Sequence, residues 1–328
     1  MQELVSVFML AYNHEKWISK AIEGVINQKT NFKFKLYIHD DCSCDKTREI
    51  IIEYARQYPD LIELVLADEN RYSQGIRVSL EIMAPIAQGK YVALCEGDDY
   101  WIDCNKLQKQ IDYFENHTHC TLIFSNAKVI DTNDNNLGNF FPLNVWNDRE
   151  INNKIQSKKE ENFSIEEMIL LDFVPTASLV FKKEIYSELG NFKKIIDIVY
   201  RLVATSQGYA HYFPNIFVAY RTGNENSASG SIQKSPVKLK ENFYNLHCEI
   251  LSEFDLHTNK KYHEIIQKEK ERKLLLYKLK TGKIKDVIKN NDLYNLNKIY
   301  LIKGILQIFL KKYYVLLRQW YRKNKKIF

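Results

Sequence analysis

The sequence predicts an α/β fold, with a mostly parallel sheet flanked by helices and a helical appendage at the C-terminal end. Three observations support this. Short apolar runs rich in β-branched residues alternate with longer runs of helical spacing. Polar clusters follow several of the apolar runs, as is typical of ligand sites at the carboxyl ends of parallel strands. From about residue 231 the chain becomes helical and basic.

The first half of the chain alternates strand and helix. Five apolar runs predict strands, at residues 4–13, 34–43, 61–67, 90–101 and 121–130. The runs between them predict helices, at residues 15–28, 46–58, 76–88 and 105–117. Asp45 can cap the second helix, which stops before Pro59, and Pro85 lies near the end of the third.

The second half repeats the alternation less regularly. Residues 131–162 are polar and rich in Asn and Lys, which predicts a loop or mobile excursion. Ser164 and Glu167 then form a capping box in sequence. Beyond it we predict strands at residues 176–181 and 216–223. Between them we predict helices at residues 182–190 and 195–208, which end at Gly190 and Gly208.

Length and composition narrow the class of protein. The 328 residues correspond to roughly two domains. A net charge of +6 does not by itself indicate nucleic acid, and the six cysteines are scattered, which fits a reducing cytosol. His117 and His119 lack a second ligand pair for zinc. The N-terminus has no signal-peptide pattern, and no run of 18 uncharged apolar residues predicts a membrane-spanning helix.

Three polar clusters fall where predicted strands end, at residues 11–13, 39–45 and 95–101. A parallel sheet would bring them to one edge, where ligands bind. In the third cluster, Glu96 and Asp98 would lie side by side and suit a hard cation such as Mg²⁺ or Mn²⁺. The alternative is a solvated acidic turn that caps the next helix.

The second cluster holds Asp40 and Asp41. They can act as hydrogen-bond acceptors for a ribose or a base, and the ring of Tyr12 can stack on a base. The alternatives are an acid pair favoured by the dipole of the next helix and an ordinary core or rim tyrosine.

These residues carry a resemblance. Residues 5–28, 39–51 and 89–114 resemble the family 2 glycosyltransferases, inverting enzymes of the Rossmann-like, nucleotide-sugar GT-A fold. Residues 4–130 match well and residues 164–223 more loosely, and the tail of the third motif resembles a bacterial branch. The motifs that match are Ala11-Tyr12-Asn13, Asp40-Asp41-Cys42-Ser43-Cys44-Asp45 and Glu96-Gly97-Asp98.

The resemblance implies roles for these residues. Asp40 and Asp41 would hold the uracil or ribose of a nucleotide-sugar, beside Tyr12 and Asn13 in the first motif. Asp98 would ligate the Mg²⁺ or Mn²⁺ that bridges the diphosphate, with Glu96 facing the metal or the ribose. Further candidates for phosphate or sugar contacts are Asn70, Arg71 and Arg77.

The resemblance also implies a general base, a carboxylate at a helix start in the second half. Asp197 stands at the matching place, with Asp172 as the fallback, and an ordinary helix-start acid is the alternative reading. The chain departs from the family pattern at Cys42, where Gly is usual, at Glu96, where Asp is usual, and at Thr222 and Gly223, near which a His often follows Tyr-Arg.

The C-terminal run 299–328 contains eight Lys or Arg and no acid, interleaved with large apolar residues. This composition predicts an interfacial helix on an anionic membrane surface. The alternative is a helix that packs on the catalytic domain with a wet basic face. Nucleic acid is not an expected partner.

The sequence hypothesis is therefore a glycosyltransferase that moves a sugar from a nucleotide-sugar, a UDP-sugar by expectation, to a glycan or lipid-linked glycan acceptor with inversion. We expect it in the cytoplasm, peripheral on the inner face of the cell membrane, in surface polysaccharide assembly. The expected domains are a catalytic domain at 1–230, divided into a nucleotide-sugar half at 1–130 and an acceptor half at 131–230, and a helical region at 231–328. The alternatives are a nucleotidyltransferase and a non-catalytic nucleotide-sugar-binding protein.

Overall fold

The computed structural model describes residues 2–141, 149–224 and 237–280. Its strands are β1 (Glu3–Ala11), β2 (Lys33–Asp40), β3 (Ile62–Leu66), β4 (Tyr91–Leu94), β5 (Tyr100–Trp101), β6 (Cys120–Ile130), β7 (Asn136–Asn139), β8 (Glu161–Phe163), β9 (Val180–Lys182) and β10 (Tyr209–Arg221). Within the described ranges these strands form one sheet in the order β3-β2-β1-β4-β9-β6-β10-β5, with β7 beside β6 and β8 beside β10.

Helices flank this sheet. Their bounds are α1 (Ile18–Ile26), α2 (Thr47–Gln57), α3 (Ala84–Ile86), α4 (Lys106–Asn116), α5 (Arg149–Gln156), α6 (Ile165–Leu170), α7 (Tyr186–Leu189), α8 (Asp197–Ser206), α9 (Val237–His257) and α10 (His263–Lys280). A π-helix, Ser79–Met83, runs directly into α3, and the 3₁₀ turns Thr176–Ser178 and Lys183–Ile185 flank β9.

The first half of the sheet is parallel, as the alternation of elements predicts. β1 pairs with β2 on one side and with β4 on the other, and β2 pairs with β3. The register places Ala11 beside Asp40 and Phe8 beside Leu94. β1, β2 and β4 therefore end at one edge of the sheet, and the three polar clusters follow them there.

The second half makes the sheet mixed. β9 enters between β4 and β6 and runs antiparallel to both, whereas β10 is parallel to β6 and antiparallel to β5 and β8. The α/β class with flanking helices is confirmed. The antiparallel strands come from the part of the chain where the alternation in the sequence is less regular.

Two predicted elements differ in detail. Residues 76–88 form the π-helix and α3 rather than one regular helix, because Pro85 has no amide hydrogen to continue the α-helical ladder. β10 begins at Tyr209 instead of 216. Its Pro214 lies at a shift of register between Phe213 and Ile216, and such irregularities are where a strand tolerates proline.

Residues 131–162 contain more regular structure than the predicted loop. They include β7, which pairs with β6, and β8, which pairs with β10, with α5 between them. These strands have three or four residues each, so the hydrophobic alternation that would reveal them in sequence is too short to read.

The core lies between the sheet and helices on its faces. α1 buries Ile18, Ala21, Ile22 and Val25 in it. A Cβ atom on Gly24 would lie 2.7 Å from the carbonyl oxygen of Trp101, so only glycine lets α1 approach β5 this closely.

The chain divides into two compact units, which we describe separately. Among the described residues, the larger unit is built from 2–141, 149–224 and 252–263, and it contains the sheet. The smaller unit is built from the described residues 237–251 and 264–280, and in it Arg272 donates to Glu269 at 2.6 Å and Tyr244 stacks on Tyr277 at 5.5 Å.

The predicted membrane helix at 299–328 lies outside the described residues. Among the helices within them, none combines the length and the apolar character needed to cross a bilayer.

Candidate active site

The carboxyl edge of the parallel strands brings the three polar clusters together. The Asp41 amide donates to the carbonyl of Ala11 at 2.9 Å, and the Gly97 amide donates to the carbonyl of Leu10 at 2.9 Å. Both acidic loops are thus attached to the end of β1. The convergence inferred from the sequence is present in the fold.

Asp40 is completely buried and has one free oxygen. Its Oδ2 accepts from Arg48 Nε at 2.7 Å and from the Ser43 amide at 3.3 Å. Its Oδ1 is buried with no hydrogen-bond partner among the described residues. A buried carboxylate oxygen without a partner is costly, so this atom is a ready acceptor for a ligand donor.

Asp41 has a different role from its neighbour. Its Oδ1 accepts from the Arg71 amide at 2.7 Å, and its Oδ2 accepts from the Tyr72 amide at 3.1 Å. The His39 ring lies 3.3 Å from the same carboxylate. Asp41 therefore anchors the loop of residues 70–75 over the site, and this loop carries the candidates Asn70 and Arg71.

Asn70 is itself part of a turn, since its Oδ1 accepts from the Ser73 amide at 2.7 Å. Arg71 is half-buried and Tyr72 is 76% exposed. Arg71 is therefore the cationic residue of this loop, whereas the side-chain oxygen of Asn70 is engaged by its own turn.

Asn13 joins the first motif to the second. Its amide donates to Ser43 Oγ at 3.0 Å, and its Oδ1 accepts from the Cys44 amide at 2.9 Å. These hydrogen bonds fix the loop after β1 to the loop after β2. They leave the Tyr12 ring 40% exposed at the rim of the site, where a base can stack on it.

Cys42 occupies the left-handed region of backbone space, with φ of 63°. This is a conformation that glycine adopts without strain and other residues rarely adopt. The loop therefore keeps the turn that the resemblance associates with glycine, although cysteine stands there, and Cys42 Sγ contacts the Asp68 carbonyl at 3.3 Å.

Arg221 supports the third polar cluster through hydrogen bonds to Asp98 and Asp99. Its side chain is buried and donates to the carbonyls of Asp98 and Asp131, each at 2.8 Å. Its backbone amide donates to Asp99 Oδ1 at 2.7 Å, and its guanidinium lies over the Trp17 ring. Asp99 is thereby a structural acceptor.

Asp98 remains the ligand candidate of this cluster. Its Oδ2 accepts from Asn224 Nδ2 at 3.0 Å. Asn224 follows the Thr222-Gly223 pair that replaces the expected histidine region, so an amide side chain reaches the acidic motif from this segment. The sequence reading assigned no residue to this role.

Glu96 lies in a strongly negative environment. Burial, and then the charges of Asp98 and Asp197, raise its pKa to about 8. Its Oε2 is buried and has no hydrogen-bond partner within the described chain. Glu96 therefore lies within electrostatic reach of both Asp98 and Asp197, although Asp197 comes from the second half.

These carboxylates suit a divalent cation. An orphaned Glu96 oxygen and clustered negative charge are what a cation would satisfy. Across residues 2–141, 149–224 and 237–280, no three His, Cys, Asp or Glu side chains form a ready metal cage. Mg²⁺ and Mn²⁺ fit this pattern, since Mg²⁺ is usually held by one or two carboxylates, with water and phosphate as the other ligands.

Asp197 is the first residue of α8 and is half-buried. In the described part of the protein no side chain or amide donates a hydrogen bond to its carboxylate, and its charge is felt at Glu96. Asp172, the fallback, is buried, and its carbonyl accepts from Arg201 Nη2 at 3.0 Å. The structure thus brings Asp197 to the acidic cluster.

Two side chains that interact with the acidic residues were not predicted from the sequence: His14 near Asp98 and Arg48 at Asp40. Burial lowers the pKa of His14, against the opposing charge of Asp98, and its Nδ1 is buried without a hydrogen-bond partner among the described residues. A Cβ on Gly97 would lie 2.6 Å from that nitrogen. His14 directly follows the first polar cluster and Arg48 lies three residues after the second, and this closeness in sequence is the signal that would find them.

Comparisons with known proteins place the chain in a family. The profile of Glycosyl transferase family 2 matches residues 6–187. An uncharacterised protein of Mycobacterium tuberculosis is 33% identical over 180 residues, which are 55% of this chain and 47% of that protein. The Escherichia coli UDP-Glc:alpha-D-GlcNAc-diphosphoundecaprenol beta-1,3-glucosyltransferase WfgD is 31% identical over 130 residues, 40% of this chain and 48% of that protein. The matched part of the chain spans about half the length of these curated relatives.

Solved structures share the fold. S. aureus TarS 1–349 in complex with UDP-GlcNAc superposes with a TM-score of 0.59 at 16% identity, over 82% of this chain and 72% of that one. Mannosyltransferase PcManGT from Pyrobaculum calidifontis, in complex with GDP-Man and Mn²⁺, gives 0.53 at 15% identity, over 98% and 83%. At these identities the likeness establishes the fold, and the predicted GT-A architecture is confirmed.

Proposed function

The chain belongs to glycosyl transferase family 2, and on that premise we propose that it transfers a sugar from a nucleotide diphosphate sugar to an acceptor hydroxyl in surface glycan assembly. The observation that carries the proposal is the cluster of Glu96, Asp98 and Asp197 beside the free oxygen of Asp40. In this proposal, one edge of the sheet would supply acceptors for a nucleoside and ligands for a cation, and the second half of the chain would add a carboxylate.

The donor would lie across the ends of β1, β2 and β4. Tyr12 would stack on the base, Asp40 Oδ1 would accept from the base or ribose, and Arg71 would face the diphosphate. We propose a UDP-sugar. TarS was crystallised with UDP-GlcNAc and WfgD is named for UDP-Glc, whereas the mannosyltransferase of similar fold holds GDP-Man.

A Mg²⁺ or Mn²⁺ ion would be held by Asp98, with Glu96 as the second carboxylate, and its chemistry when bound is to stabilise the departing diphosphate. Asn224 would orient Asp98 through its hydrogen bond. Arg221 would fix the loop backbone so that the Asp98 carboxylate keeps its direction.

Asp197 would be the general base. A carboxylate that accepts no hydrogen bond from the described protein groups is available to take a proton from an acceptor hydroxyl. Direct displacement on the face opposite the diphosphate would invert the anomeric centre. We propose residues 1–230 as the catalytic domain, with the acceptor bound in the half that supplies Asp197.

The acceptor would be a lipid-linked glycan. WfgD is named for a diphosphoundecaprenol-linked acceptor, and an enzyme acting on such a molecule needs access to a membrane surface. We propose that the basic run 299–328 supplies this contact from the cytoplasmic side.

A donor panel tests the function. The full chain is mixed with UDP-glucose, UDP-GlcNAc, GDP-mannose or dTDP-glucose, with and without Mn²⁺, and thermal stability and nucleotide release are measured. We expect one UDP-sugar with Mn²⁺ to raise the melting temperature and to be hydrolysed slowly. Stabilisation by none of the four, with or without metal, would reject the donor site.

A further inference from the structure

Asp197 is bracketed by two contacts from one short segment of the first half, residues 77–79, which we call the bridging segment. Arg77 Nη1 donates to the carbonyl of Phe192 at 2.9 Å, on the N-terminal side of Asp197. Ser79 Oγ is hydrogen-bonded to the hydroxyl of Tyr200, on the C-terminal side. The residues that flank the proposed base are thus tied to the same three positions.

Tyr200 is well placed to transmit this contact. It lies three residues after Asp197 on α8, so both side chains are on the same helix face. Its ring is buried and stacks on Phe181 of β9 at 5.1 Å. Burial, opposed by the Ser79 hydrogen bond and reinforced by the charge of Glu96, raises its pKa to about 12.

The bridging segment also adjoins the loop that Asp41 holds. Residues 70–75 are anchored through the Arg71 and Tyr72 amides, and the bridging segment follows two residues later. Ser79 is the first residue of the π-helix. π-helical turns are uncommon and are frequent at functional sites, and Ser79 is buried within this one.

We propose that Ser79 and Tyr200, supported by Arg77, are positioning residues that hold Asp197 at a fixed place relative to the donor loop. The hydrogen bond between the Ser79 and Tyr200 hydroxyls fixes the position of the first turn of α8. The hydrogen bond from Arg77 to Phe192 fixes the position of the segment that precedes α8. This inference rests on the proposed function, since it assigns the purpose of the contact to the proposed base.

The test compares Tyr200→Phe, Ser79→Ala and the double variant with a matched control, Tyr212→Phe. Tyr212 is buried too, and its hydroxyl has no hydrogen-bond partner among the described residues, so the control removes a buried tyrosine hydroxyl from β10, away from the contact under test. Amide hydrogen exchange over 190–200 is measured without ligand, and hydrolysis of UDP-glucose with Mn²⁺ is measured separately.

We expect exchange over 197–200 to be about fivefold faster in both single variants, because one hydrogen bond is lost. The kcat of hydrolysis should fall about tenfold with KM for UDP-glucose unchanged, as expected for a misplaced base. The double variant should lose no more than the worse single variant, because the two hydroxyls act as one unit. The control should match the unmodified protein.

Unchanged exchange in both single variants would overturn the proposal, and so would faster exchange with an unchanged kcat. A change in KM in place of kcat would assign the pair to donor binding and would also overturn it. If Asp197→Asn left hydrolysis intact, the proposed function would fail separately, since the exchange measurement does not depend on what Asp197 does.

Discussion

Glu96 at the end of the fourth strand and Asp197 at the start of α8 lie within electrostatic reach of each other, although about 100 residues separate them in the chain. The negative charge of Asp197 is one of the causes that raise the pKa of Glu96. This relationship joins the two halves of the protein at one point. It also gives the site a property that can be measured without knowing the acceptor.

That property is a pH-dependent stability. The pKa of Glu96 is raised from 4.5 to about 8, so the folded protein binds a proton that the unfolded chain releases in this range. The free energy of unfolding of the metal-free protein should therefore fall as pH rises from about 4.5 to about 8. Urea denaturation at pH 5, 6, 7 and 8 measures it.

Glu96→Gln provides the control for this slope, because a neutral amide does not titrate. The variant should show a flatter dependence over the same range than the unmodified protein. An equally steep slope in both proteins would show that other groups cause the dependence.

Asp197→Asn should lower turnover by about 100-fold or more, since it removes general-base catalysis. Donor binding, followed by calorimetry with a UDP-sugar and Mn²⁺, should be retained because the change lies outside the nucleoside contacts. Asp172→Asn is the comparison, and it should keep turnover. The reverse result, with Asp172→Asn inactive and Asp197→Asn active, would transfer the role to Asp172.

The neighbours Asp98 and Asp99 should respond differently to substitution. Asp98→Ala should abolish the Mn²⁺-dependent rise in melting temperature and leave the metal-free protein folded. Asp99→Ala should destabilise the fold by about 1–3 kcal/mol, because the buried Arg221 amide loses its acceptor. Thermal denaturation with and without Mn²⁺ separates the two effects, and identical behaviour of the two variants would contradict this division of roles.

Cys42 gives a backbone prediction. Because its φ is 63°, Cys42→Gly should be at least as stable as the natural chain, whereas Cys42→Val should be destabilised by about 1–2 kcal/mol. Thermal denaturation of both variants measures this. Cys120→Val, at a buried strand position, serves as the control for replacing a cysteine by valine.

The basic C-terminal run gives a binding prediction. Replacement of Arg322, Lys323, Lys325 and Lys326 by Glu in the full chain should weaken sedimentation with phosphatidylglycerol vesicles, since each basic residue near an anionic surface contributes about 1 kcal/mol. Phosphatidylcholine vesicles provide the uncharged control. Equal sedimentation of both proteins with anionic vesicles would reject the membrane role.

The sequence was sufficient to predict the strand-end clusters, because alternation of strand and helix and the rule for parallel sheets depend on local pattern alone. It could not show that the Asp41 carboxylate accepts hydrogen bonds from the amides of the 70–75 loop, or that one Asp40 oxygen has no partner among the described residues. Both features depend on how distant loops fold against each other. Neither could it show the contact between Ser79 and Tyr200, because these residues are 121 positions apart in the chain and the π-helix that contains Ser79 has no sequence pattern of its own.

The position of Arg221 in the chain has a consequence for folding during translation. The acidic loop after β4 receives its backbone and side-chain support from residues 221 and 224, which a ribosome synthesises more than a hundred residues later. A polypeptide that ended at residue 130 would therefore lack the groups that support this acidic loop. During translation, this loop cannot gain its full set of hydrogen bonds until Asn224 has emerged from the ribosome.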